Sequence, residues 1–566
     1  MLRRTAVVLS ALVLMIGNWA VPATAADPVS QRIATMTLEE KVGQMFVSYV
    51  YGGSATAPSA ADAAANRAMY GVDTGAEVLA RYHLGGVIYF TWSDNLANPA
   101  QIADLSNGLQ EASAVPLQIS TDQEGGVVNR IGAPLAVSPG NMAIGATFDP
   151  LDAYAAAKVS GTELRALGLN AVDAPVVDVN TNPLNSADGT RAFGDRTAQV
   201  ALFGAAAVAG YHAAGIGVQA KHFPGLGSTT VNTDNGVAVT TETRQQIMDI
   251  DVPSFRAAIA ARAESVMAAH IVAPALDPSG LPASLSKPIV TGVLRGQLHY
   301  DGVVITDALS AAALAGIPAD QIILDAVNAG DDELLMPTDL PGAVQTVLDA
   351  VRAGTISEAR IDQSVRRILR MKQHLGLFDR APVPAPVVGT PENLQTMAGV
   401  AQRSITSLRA AALPLRAGQQ VLVTGWGVTT TTNLTAALTD RGLTATRLYT
   451  GSPSAAVIAR AVAAAQAADV TVVTTYNAWS DATQQALVRA LLATGKPIVV
   501  TAVGGPYDIA YFPAATTYLA AYDYQPVSVT ALADVLAGRT RATGRLPVTI
   551  RSVDGGTVLF PFGASG

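Results

Sequence analysis

DGVVITDALSAAALAG, residues 301–316, runs from the unbroken β-branched stretch Val303–Thr306 straight into an aspartate and then into an alanine-rich segment. A short run that is apolar throughout, rather than at alternate positions, predicts a strand buried on both faces, which is the condition of a parallel sheet covered by helices. The alanine-rich part predicts the helix that follows. Working outward, the same unit recurs at LGGVIYF (84–90), VPLQIS (115–120), NAVDAPVVDV (170–179), GVQA (217–220), SVMAAH (265–270) and ELLM (333–336), with alanine-rich stretches between. Repeated strand–helix units of this number and spacing predict an α/β chain whose N-terminal part, 27–377, is a (β/α)8 TIM-like barrel. Charged groups gather just after the runs: Asp122 and Glu124, Asp178, Lys221 with His222, His270, and Asp307. The C-terminal ends of barrel strands are where such folds build their sites.

The segment 378–393, FDRAPVPAPVVGTPEN, is proline-rich and aperiodic and predicts an extended linker. Beyond it, QQVLVTGW (419–426), DVTVVTTY (469–476) and KPIVVTAVGG (496–505) alternate with helical stretches, predicting a smaller C-terminal α/β sandwich domain over 394–566. WGVTTTTN (426–433) is expected to be a threonine-rich loop. At the other end, residues 1–26 join two arginines, an apolar run and small residues around Ala23–Ala26, the plan of a cleaved secretory signal. An uncleaved anchor helix is the alternative, although the apolar run is short for a bilayer. The chain contains no cysteine, which excludes disulfides, thiolate metal sites and a lipid-bearing cysteine, so a secreted protein without a membrane span is expected. A net charge of −8 without a long basic run argues against nucleic acid as partner and favours a neutral one.

Two carboxylates on one rim are what glycoside hydrolysis requires. Asp307 is placed to be a nucleophile, or it caps the following helix. Asp122 lies in STDQEGGVVNRIG (120–132), where paired glycines allow close backbone approach to a ligand and Arg130 is within reach; a strand-ending turn is the other reading. At least one of Lys221 and His222 should face the cleft, and His270 fits a structural hydrogen-bonding role. The six histidines, at 83, 212, 222, 270, 299 and 374, show no metal-ligand spacing, so neither a metal nor a cofactor is expected.

STDQEGG, PVVDVNTNP, GTRAFG, KHFPG, PASLS and DGVVITDAL, in that order, resemble glycoside hydrolase family 3, and specifically its two-domain bacterial β-N-acetylglucosaminidase branch. The resemblance continues through YDYQPVSVTALADVLAGRTRATGRLPVTI (522–550). It implies a carbohydrate substrate and Asp307 as the nucleophile of a retaining mechanism. It also implies that Asp122, Arg130, Arg191, Lys221 and His222 hold sugar hydroxyls. One departure stands out. Where that branch carries an Asp-x-His pair after KHFPG, with the histidine as acid/base, this chain has Asn232-Thr233-Asp234, and no glutamate follows Glu392 to replace it from the second domain. Asp234 is therefore expected to act as acid/base with Asn232 holding it by a hydrogen bond. The alternatives are another terminal cell-wall sugar as substrate, or a carbohydrate-binding protein with impaired catalysis.

Overall fold

The computed structural model describes residues 27–379 and 381–566, so the expected signal segment lies outside the described residues. The N-terminal part is the expected barrel. Its strands are β1 (Phe46–Ser48), β2 (Gly86–Ile88), β3 (Gln118–Ser120), β4 (Ala171–Val172), β5 (Gly217–Phe223), β6 (Ser265–Ala268), β7 (Val303–Thr306) and β8 (Leu334–Leu335). Sequence neighbours pair in parallel around the ring, and β8 returns to β1 through Phe46 opposite Leu334. Two joints are shorter: Asn170 and Asp173 N–H donate to the Ile119 and Thr121 carbonyls between β3 and β4, and between β7 and β8 Ile305 bridges Glu333, with Thr306 N–H donating to the Glu333 carbonyl and Glu333 N–H to that of Val304.

β1 is absent from the apolar runs read from the sequence. It follows directly on the helix Leu38–Gln44, which a reciprocal cap between Thr37 and Glu40 starts, and its three residues are too short a run to stand out from that helix. Inside the ring, Val47, Ile88, Phe90, Met267, Ile305 and Leu335 form a small apolar cluster. Alternation along the strands turns Gln118, Gln219 and Glu333 to the same interior, so the lower barrel is polar, unlike the branched aliphatic layers usual in such barrels.

Residues 381–390 are extended, but the helix Pro391–Ser404 already begins within the expected linker, because Thr390 caps it through Asn393 N–H. The C-terminal part is a six-stranded sheet formed by β9 (Thr406–Ala410), β10 (Gln420–Gly425), β11 (Thr444–Tyr449), β12 (Val470–Thr475), β13 (Ile498–Ala502) and β14 (Thr517–Ala520), in the order β9-β14-β13-β12-β10-β11. Only β9 is antiparallel. Helices cover both faces, Leu434, Leu438 and Leu532 packing on one and Ala461, Leu487 and Leu491 on the other. The expected threonine-rich loop is instead the start of the helix Val428–Thr439. Its threonines stay helical by donating their hydroxyls one turn back, Thr431 to the Gly427 carbonyl and Thr435 to that of Thr431.

The two parts share a core. Met142, Ala143 and Ala146, which follow β3, pack in the cluster that contains Tyr507, Leu546 and Val548. Asp195 accepts from Thr549 N–H (2.7 Å), and Gln525 Nε2 donates to the Gly126 carbonyl (2.9 Å), so the second domain sits on the barrel rim. No helix among the described residues is long and apolar enough to cross a membrane.

Candidate active site

At the C-terminal mouth of the barrel lies a cavity of about 460 Å³, within the range of small-molecule sites. Its lining brings together Asp122, Arg130, Arg191, Lys221, His222, Asn232, Asp234 and Asp307. β3, β5 and β7 deliver Asp122, Lys221 and Asp307 from their C-terminal ends. Lys221 and His222 both face this region, although neighbours on a regular strand point apart; the pairing register shifts between Ala220 and Phe223 and turns both toward the rim.

A charged network forms the cavity floor. Lys221 Nζ donates to Asp122 Oδ1 (2.8 Å) and lies 2.7 Å from Glu124 Oε1. Arg191 donates through Nε and Nη2 to the two oxygens of Glu124 (2.8 Å each), and Arg130 reaches Asp122 Oδ2 (3.3 Å). Burial works against the ionised form of Asp122, but Lys221 and Arg130 outweigh it and hold the carboxyl below its usual range. Glu124 is likewise held well below its usual range, its burial outweighed by Arg191 and Lys221. Burial likewise opposes the Lys221 charge, and Asp122 and Glu124 overcome it, so the ammonium persists far into the alkaline range. A floor of fixed charges with donors and acceptors facing one cavity suits a polyhydroxylated ligand.

His222 donates Nδ1–H to Asp178 Oδ2 (2.8 Å), which leaves Nε2 to accept from Arg191 Nη2 (3.2 Å). Asp178 also accepts from the backbone N–H of His222 and of Leu226. Beside them, burial and the Asp178 charge push Asp188 up to about 7. Asp178, Asp188 and His222 are close enough to one another to surround a cation, but Nδ1 and both Asp178 oxygens are already engaged by hydrogen bonds, so this cluster fits a positioning role for the imidazole better.

Asp307 is half-buried, and its Oδ1 accepts from Ala308 N–H (2.8 Å), leaving Oδ2 for the cavity. The helix that it was expected to cap is not there: residues after it form turns and the short 3-10 turn Ala312–Leu314. His270 is buried away from the cavity. Its Nε2–H donates to the Ala308 carbonyl (2.9 Å) and Nδ1 accepts from Ser284 Oγ (2.7 Å), so it steadies the peptide beside Asp307.

Two expectations about loops are corrected. Asn232 Oδ1 accepts from the backbone N–H of Asp234 (2.8 Å), an Asx turn, so Asn232 shapes the loop and does not hold the Asp234 carboxyl. Asp234 itself is exposed, on a loop pinned where Thr233 O accepts from Ala313 N–H. Gly125 and Gly126 adopt φ of +84° and +58° and pack on Ser138 and Gly140, so that pair serves a tight turn and not ligand approach.

Glu124, Asp173 and Asp188, and the aromatic wall of Phe90, Trp92, Tyr476 and Tyr524, join the site without having been expected from sequence. Glu124 was within sight, a second acid two residues beyond Asp122. Asp173, pushed up to about 7 by burial and the Asp122 charge, was hidden in a run read as an apolar strand.

A sequence profile described as the glycosyl hydrolase family 3 N-terminal domain matches residues 37–371. The chain belongs to glycoside hydrolase family 3. Among its family 3 relatives, beta-hexosaminidase A of Pseudoalteromonas piscicida is 32% identical over 84% of this chain and 90% of that one. A beta-N-acetylglucosaminidase/beta-glucosidase of Cellulomonas fimi is 34% identical over 58% of this chain and 59% of the other. The solved structure of a family 3 beta-N-acetylglucosaminidase from Paenibacillus sp. str. FPU-7 superposes with a TM-score of 0.84 at 35% identity, covering 92% of this chain and all of that one.

Proposed function

We propose that this family 3 glycosidase is a retaining exo-β-glycosidase that removes a terminal β-linked N-acetylhexosamine through a covalent glycosyl-Asp307 intermediate. The observation that carries the proposal is the half-buried Asp307 carboxylate, one oxygen free, opening on a cavity lined by Asp122, Lys221 and Arg191, with Glu124 pairing both cations from beneath. The activities of the related beta-hexosaminidase and beta-N-acetylglucosaminidase support the sugar class. Asp307 attacks the anomeric carbon while Asp234 protonates the departing oxygen; Asp234 as carboxylate then takes a proton from the water that releases the sugar. Because Asp234 is exposed and Asn232 does not orient it, the loop must draw over the substrate for this step. The N-terminal segment supports export and a substrate from cell-wall glycans.

Proton NMR of 4-nitrophenyl N-acetyl-β-glucosaminide hydrolysis tests the reading. The β-anomer of the free sugar should appear first; the α-anomer first would contradict retention. The unsupported Asp234 carboxyl favours one second reading, a sugar-binding protein with impaired catalysis, for which binding without turnover is the expected result.

A further inference from the structure

A second cavity, of about 490 Å³, lies where the barrel rim meets the C-terminal domain. Trp479 and Tyr511 line it from the C-terminal domain and Leu184 from the barrel, with Val553 from the terminal hairpin. Trp479 and Tyr511 are half-buried, and among the described residues neither ring stacks on another and neither polar tip has a hydrogen-bond partner. This contrasts with the aromatic wall of the first cavity, where Tyr476 stacks on Trp426 at 4.4 Å. Neither polar tip is among the buried unpartnered atoms, so both face the open cavity, and two accessible aromatic faces with available polar tips at one cavity suit a ligand both apolar-faced and hydroxylated. The charges beside them, Arg196 and Arg551 against Asp195 and Asp554, balance, which fits a neutral ligand.

No residue lines both cavities, but two segments contribute to each. The connection after β12 places Tyr476 in the first and Trp479 in the second, and that spacing limits their Cα atoms to about 11 Å. Residues 181–187 do the same on the barrel side, with Leu184 in the second cavity and Ala187 in the first. That barrel segment is also tied to the loop that carries Asp234: Asn182 Nδ2 donates to the Ser228 carbonyl (3.1 Å) and Ser186 Oγ to that of Thr230 (2.8 Å).

We infer that the second cavity is an accessory subsite for the leaving-group side of the glycan, which makes the substrate a linear neutral oligosaccharide longer than a disaccharide. The inference rests on the glycosidase reading above. The terminal sugar occupies the first cavity, and a ring further along the chain stacks on Trp479 and Tyr511.

The test compares kcat/KM of the full chain on 4-nitrophenyl N-acetyl-β-glucosaminide and on a β-linked N-acetylglucosamine hexasaccharide, in wild type, Trp479→Ala and Trp479→Phe. Trp479→Ala should lose about tenfold on the hexasaccharide while the aryl glycoside stays within about twofold, and Trp479→Phe should recover most of the loss. An equal loss on both substrates, or none on the hexasaccharide, overturns the subsite. If wild type hydrolyses neither substrate, the glycosidase reading fails. Calorimetry of the hexasaccharide with Asp307→Ala and Asp307→Ala/Trp479→Ala then decides separately: weaker binding in the double variant supports the subsite, and equal or absent binding overturns it.

Discussion

At the residue scale, the proposed mechanism separates groups that would hold the sugar from groups that would do chemistry. Glu124 is buried against the buried Lys221 and the half-buried Arg191, so it keeps two cations fixed in the floor. Breaking a buried ion pair by removing one partner typically costs about 3–5 kcal/mol. Glu124→Gln should therefore lower thermal stability at neutral pH. The sign with pH follows from its depressed carboxyl: its contribution is present above its ordinary value of 4.5 and is lost as pH falls below that, by up to about 1.4 kcal/mol per pH unit. The deficit of Glu124→Gln should shrink below pH 4.5 in denaturation curves; a deficit that grows on acidification contradicts the assignment. For Asp234 the prediction is kinetic. Nitrophenolate leaves with little protonation and an alkyl alcohol does not, so Asp234→Asn should slow alkyl glycosides far more than nitrophenyl ones. Equal, small losses on both would remove Asp234 from the acid/base role.

At the element scale, strand ends and loops divide the work. The floor residues sit at the ends of paired strands, and these positions were legible in the sequence because an apolar run ending in a charge marks a barrel rim. Loop geometry was less legible. The Asn232 side chain satisfies a backbone N–H two residues on, a local competition that residue type allows but does not dictate. The helix expected after Asp307 became turns even though its alanines favour helix, since Leu309 N–H is bound to the Leu335 carbonyl and Ala313 N–H to that of Thr233, outside any helical ladder. β1 was missed because three residues following a capped helix carry too little periodicity to separate the two states. Positions 232 and 234 both line the cavity, so the loop has room for the Asp-x-His pair of the related branch. The double variant Asn232→Asp/Asp234→His should stay active on alkyl glycosides and hold that activity to higher pH than wild type, since an imidazolium keeps its proton longer than a carboxylic acid. An unchanged pH profile would show that this position does not deliver the proton.

At the scale of the whole molecule, the second domain completes the site. It supplies Tyr476 and Tyr524 to the first cavity, and its core encloses Met142, Ala143 and Ala146 of the barrel part. The sequence showed a separate α/β unit but not this closure, because contacts such as Asn180 with Tyr507 join residues more than three hundred positions apart and leave no local pattern. A chain ending at residue 377 should expose the shared apolar surface and lose the aromatic wall. It should be poorly soluble or inactive on aryl glycosides. A soluble barrel with full activity would contradict the shared-core account.

The central claim is that Asp307 forms a covalent bond to the sugar, and intact-mass spectrometry after incubation with a panel of activated fluoro-glycosides addresses it most directly. The account predicts one adduct per chain, located on the peptide containing Asp307 and absent from Asp307→Ala, with the labelling sugar reporting the specificity. No adduct from any member of the panel, while calorimetry still detects sugar binding, would contradict it.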